Sequence, residues 1–84
     1  MPSQTNQLLV GEIQALLAEA IQVPVETVTA DLTFGDLPQW DSLGHMEILM
    51  RLEEKYGVEV NAETIARLVS IPEILQFLKE NEHE

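Results

Sequence analysis

Trp40-Asp41-Ser42-Leu43-Gly44-His45-Met46-Glu47 is the stretch where a long turn-rich segment gives way to a helix. Asp41 is a good N-cap, because its carboxylate can accept from the orphan N–H groups of the first helical turn. Ser42 then falls at the first helical position, hydroxyl outward, beside the positive end of the helix dipole. Backbone N–H groups and the dipole both favour an anion there, so a phosphate ester would be well tolerated on Ser42. On spacing alone an Asp-Ser pair before a helix reads first as a cap. Attachment of a phosphate-linked group is the sharper alternative.

The helix that follows should run from about Ser42 to Tyr56. Stepping about 100° per residue gathers Ile48, Leu49, Leu52 and Tyr56 on a core face. Leu43, Glu47, Met50 and Glu54 gather on the opposite face, with Met46 at its edge. An ordinary solvated face has no need of Leu43, Met46 and Met50, although single exposed apolar residues are common. The combination of adaptable methionines and acids suits docking of partners with basic surfaces. His45 turns toward the core near the helix start, where a lone histidine is expected to be packed and hydrogen-bonded. Gly57 is a natural residue to close the helix.

Upstream, a first helix is expected from about Gln4 to Ile21, with Ser3, Thr5 or Asn6 offering its cap. Leu9, Ile13, Leu16, Leu17 and Ala20 line its inner face, and Pro24 ends it. The connection over residues 23–41 is longer than compact domains usually allow. Val25, Val28, Leu32, Phe34, Leu37 and Trp40 are its expected anchors, with a short turn at Glu26-Thr27-Val28 and Trp40 packed at the bundle edge. Downstream, Asn61 should cap a short third helix of about Ala62 to Arg67, presenting Ile65 and Leu68 inward. Ser70-Ile71-Pro72-Glu73 has the form of a capping box with proline in the first turn. A fourth helix should follow to about Lys79, burying Ile71, Ile74, Leu75 and Leu78. The fold class is therefore all-α, a small four-helix bundle of three longer helices and a short third one.

Composition sets limits on function. The 84 residues suit one domain, 1–84, with an ordered core of about 5–79 and frayed termini. Absence of cysteine removes disulfides and thiolate metal sites, and any thioester sulfur must come from a prosthetic group. Net charge is −11, and residues 1–50 carry seven acids with no lysine or arginine. Such a field repels nucleic acid and steers basic protein surfaces toward the chain. No apolar run approaches the roughly 20 residues of a membrane span, and Met1-Pro2-Ser3-Gln4-Thr5 lacks the features of a signal peptide. A soluble, cytoplasmic monomer is expected. No Gly-rich phosphate loop or metal-ligand cluster is visible, which speaks against an enzyme.

Asp41-Ser42-Leu43, followed by a helix with Glu47, Glu53 and Glu54, closely resembles the acyl carrier protein family. Leu16-Leu17, Val23 to Val28, Asp31-Leu32, Leu52 to Val60 and Ile71-Pro72-Glu73-Ile74 also fall where that family has equivalents, so the similarity runs from about Leu8 to Leu78. The resemblance implies that Ser42, flanked by Asp41 and Leu43, carries 4′-phosphopantetheine, whose thiol holds acyl groups as thioesters. It implies a docking face of Leu43, Met46, Glu47, Met50 and Glu54 on the second helix. It also implies an acyl pocket between the second, third and fourth helices near His45, Val60, Leu68 and Ile71. Partners would be a phosphopantetheinyl transferase, an acyl-loading ligase or acyltransferase, and condensing enzymes of fatty-acid, polyketide or related biosynthesis. Pro38-Gln39-Trp40 departs from the usual aminoacyl or peptidyl carrier pattern. Trp40 and Gly44 also depart from the housekeeping fatty-acid pattern, which leaves the pathway open. An unmodified acidic helical adaptor is the alternative from another class.

Overall fold

The structure, a computed structural model, describes the backbone of residues 2–80 and the side chains of residues 8–80. The expected fraying of residues 81–84, His83 included, lies outside the described residues. Among the described residues four α-helices form: α1 Pro2–Ile21, α2 Ser42–Tyr56, α3 Ala62–Arg67 and α4 Ile71–Glu80. α1 packs on α2 and α4, and α3 packs on α2. Among the described residues no helix is long and apolar enough to cross a membrane.

α1 starts at Pro2, earlier than Gln4 and inside the stretch expected to fray. Proline suits a first helical position because its missing N–H would have no partner there. Ile13, Leu16, Leu17, Ala20 and Ile21 are buried from this helix. It ends before Pro24 exerts any effect. Gln22 takes a left-handed conformation at φ 59°, and the Val23 N–H turns back to the Ala18 carbonyl at 3.0 Å. This satisfies a terminal carbonyl in the way a glycine usually would.

The long connection is pinned at both ends. Val25–Thr27 forms a 3₁₀ turn, and the Gln14 amide donates to the Val28 carbonyl at 2.7 Å. Farther along, Phe34 N–H donates to Val69 O at 2.8 Å, and Ile71 N–H donates to Leu32 O at 3.0 Å, tying the loop to the start of α4. Val28, Leu32 and Trp40 are buried, and Leu37 is half-buried. Val25 and Phe34, expected as anchors, are exposed; Phe34 nevertheless keeps one side of its ring against Trp40 and His45.

Local chemistry closes the remaining elements. Gly57, at φ 74°, ends α2 and donates its N–H to Glu53 O at 2.9 Å. Asn61 and Thr64 form a reciprocal capping box at α3. The Thr64 hydroxyl also donates to Glu59 O at 2.7 Å, which permits its burial, whereas Ile65 is only half-buried. Ser70 Oγ accepts from Glu73 N–H at 3.2 Å, giving half of the expected box. The Glu73 carboxylate is turned instead toward Arg67 at 3.5 Å. Arg67 also binds Glu80 at 3.0 Å, so Glu80, expected in the frayed tail, ends α4 as part of the helix. That guanidinium holds the Glu80 carboxyl below its usual range.

Candidate functional site

At the mouth of α2, Asp41 has extended backbone angles and its carboxylate accepts from the Gly44 N–H at 2.9 Å. The Asp41 carbonyl accepts from the His45 N–H at 2.8 Å, the first bond of the helix. Ser42 follows at the first helical position and is exposed. Among the described residues no group hydrogen-bonds its hydroxyl. The aspartate therefore does the capping and leaves the serine oxygen free, next to the N–H groups that give the helix its positive end.

Gly44 is fixed by what lies over it. A Cβ at this position would collide with the carbonyl oxygen of Gln39 and press on Ile21 Cγ2 at 3.1 Å. The 38–40 backbone thus lies directly on the first turn of α2, and only glycine leaves room.

Trp40 is not at the edge of the bundle but wholly buried in the core. Its indole Nε1–H donates to His45 Nδ1 at 3.1 Å, and His45 Nε2 lies 2.8 Å from the Ile65 carbonyl. An indole nitrogen can only donate, so Nδ1 must accept and Nε2 must carry the proton that Ile65 receives. One tautomer satisfies both bonds. The chain Trp40–His45–Ile65 consequently joins the connecting loop, α2 and α3. Phe34 stands edge-on to the His45 ring at 5.4 Å and to Trp40 at 6.4 Å.

A cavity of about 330 Å³ opens beside Ser42, lined by Phe34, Ser42, His45, Met46, Ile65 and Val69. Of the residues expected near an acyl pocket, only His45 lines it. Leu68 and Ile71 are fully buried in the core, and Val60 is half-buried elsewhere. Phe34, Ile65 and Val69 were not singled out in the sequence as site residues. Their place depends on the loop crossing to α4, which no helical period encodes. A wider groove of about 980 Å³ lies at the C-terminal end of α2, bordered by Tyr56, Val58, Arg67 and Phe77, and includes none of the expected site residues.

The outer face of α2 is apolar and acidic together. Leu43 is 83% exposed, Met50 52% and Met46 37%. Glu54 is exposed and Glu47 half-buried. Arg51 lies between Glu47 and Glu19, 3.4 Å from each, so the basic residue that interrupts this acidic surface is neutralised by its neighbours.

A family model described as "Phosphopantetheine attachment site" matches residues 11–78. Among curated proteins, an acyl carrier protein of Helicobacter pylori (strain G27) is 34% identical over 73 residues, covering 87% of this chain and 94% of its own. An acyl carrier protein of Thermosynechococcus vestitus is 30% identical over 70 residues, 83% of this chain and 86% of its own. One of Rhodococcus erythropolis is 30% identical over 82 residues, 98% of this chain and 90% of its own.

Proposed function

This chain belongs to the acyl carrier protein family, and from that premise we propose that Ser42 is the residue esterified by 4′-phosphopantetheine. Members of the family are carriers and not enzymes; they work with a phosphopantetheinyl transferase and with biosynthetic enzymes. The observation that carries the assignment is the free, exposed hydroxyl at the first position of a 15-residue helix whose cap is supplied by Asp41. The residues present fit the group. A phosphodiester on Ser42 would face the unpaired N–H groups of the first turn, and the adjoining cavity would flank the arm. When bound, the group supplies the thiol that carries the acyl cargo, which this cysteine-free chain lacks.

The chain's own residues then have separate roles. Asp41 holds the turn so that Ser42 points outward. Leu43, exposed beside it, is positioned for contact with the transferase. Met46 and Met50 offer apolar contact that adapts to different partners, while Glu47 and Glu54 add charge that pairs with basic docking surfaces. The net charge of −11 speeds encounter with such surfaces. We assign the same face to an acyl-loading ligase or acyltransferase and to condensing enzymes of fatty-acid, polyketide or related biosynthesis. The carrier is proposed to act as a single domain and a monomer in the cytoplasm.

The test is intact mass measurement after incubation with coenzyme A and a promiscuous phosphopantetheinyl transferase. The reading expects one added arm on the natural chain and none on Ser42→Ala. An unmodified natural chain under conditions that fully modify a known carrier would refute it.

A further inference from the structure

We infer that the His45 ring walls the cavity beside Ser42 off from the core, so that the cavity shelters only a short apolar stretch of the carried group and leaves the remainder of a longer chain outside. This deepens the reading of Ser42 as the attachment residue and rests on it. Phe34, Met46, Ile65 and Val69 make the lining largely carbon, which selects an apolar occupant. Its volume, about 330 Å³, is close to the lower end of the roughly 300–1,000 Å³ typical of small-molecule sites.

The inner wall is held by hydrogen bonds rather than by contact alone. His45 is buried, its Nδ1 accepting from Trp40 Nε1–H at 3.1 Å and its Nε2–H reaching the Ile65 carbonyl at 2.8 Å. The second of these bonds ties α2 to α3 at the inner side of the cavity. Trp40, bonded to the ring, is fully buried, as are Ile48, Leu68 and Ile71 of the core. Displacing the ring would leave the indole N–H, the Ile65 carbonyl and both ring nitrogens without partners in apolar surroundings, a penalty that grows with burial. A flexible leucine or methionine at position 45 could yield to an incoming chain. A histidine bonded at both nitrogens resists it.

A chain-length series tests the wall. The protein is loaded from butyryl- and decanoyl-coenzyme A by a phosphopantetheinyl transferase, and complete loading is verified by intact mass. Methyl and indole N–H resonances are then compared with the form bearing the arm alone. Both cargoes should shift Met46, Ile65 and Val69 to the same extent, while the Trp40 indole N–H and the Ile48, Leu68 and Ile71 methyls stay unmoved. In His45→Ala, decanoyl but not butyryl should shift Leu68 and Ile71. Decanoyl-induced shifts of those core methyls and of the Trp40 indole in the natural chain would overturn the wall. So would a folded His45→Ala whose core ignores decanoyl. Should His45→Ala not fold, the natural chain's series decides alone. Absence of loading, seen first in the mass spectrum, overturns the attachment reading itself and this inference with it.

Discussion

Replacing Gly44 with alanine sets two effects of opposite sign against each other. By helix propensity alone, alanine is better than glycine by up to about 1 kcal/mol within a helix. At this position, however, the new Cβ meets the Gln39 carbonyl oxygen and Ile21 Cγ2. The carbonyl cannot retreat cheaply. Its neighbour Trp40 is wholly buried, donates its N–H to Leu37 O at 3.0 Å, and accepts from Gly35 N–H at 3.2 Å. Forcing extra volume into such a contact typically costs 1–3 kcal/mol, roughly. The clash is with backbone, which puts the cost in the upper part of that range, about 2–3 kcal/mol. Subtracting the propensity gain leaves Gly44→Ala destabilising by about 1–2 kcal/mol. For a domain of this size that corresponds to a Tm lower by about 5–15 °C. Thermal unfolding followed by far-ultraviolet circular dichroism measures it. An unchanged or higher Tm would show that the 38–40 backbone does not lie on the helix as described.

Asp41→Ala should cost about 1 kcal/mol through loss of the cap to Gly44, whereas Asp41→Asn keeps a side-chain oxygen and should cost less; equal melting temperatures for the two would remove the cap from the account. Burial, and then the bond from its hydroxyl to Glu12 at 2.7 Å, raise the Tyr56 pKa above its ordinary value. The folded state thus holds the phenolic proton more tightly than the unfolded chain does. Its stabilising effect is complete below the ordinary phenol value and is lost as pH rises through the elevated one. Ultraviolet titration of this single tyrosine should give a late midpoint that Glu12→Gln lowers only in part, because burial is the larger cause; a midpoint at the ordinary value would contradict the geometry. Finally, self-repulsion at net charge −11 should make Tm rise between low and moderate salt, and a flat or falling Tm would count against that.

The helices were legible because their ends carry local chemistry: Asp41, Gly57, Asn61 and Ser70 each act at the position where the sequence places them. Periodicity likewise separated Ile48, Leu49 and Leu52 from Leu43 and Met50 on α2. What periodicity cannot carry is a contact between elements. Trp40–His45–Ile65 joins three of them through side-chain nitrogens and a carbonyl, so the burial of the tryptophan has no periodic signature and differs from the edge position its place in the loop suggests. The close approach that demands Gly44 depends on where the preceding loop folds back. Thr64 carries no hydrophobic signal, because its burial rests on hydrogen bonds to Asn61 and Glu59. The end of α1 at Gln22 needed a left-handed residue that the sequence does not mark with glycine.

The account rests on which serine is available. Ser70 is half-buried and its Oγ is engaged by the Glu73 N–H, whereas Ser42 is exposed with its hydroxyl free. Peptide mapping of the transferase-treated chain by tandem mass spectrometry reads this directly. The arm should be found on Ser42 alone; an arm on Ser70 or Ser3, with Ser42 unmodified, would contradict it.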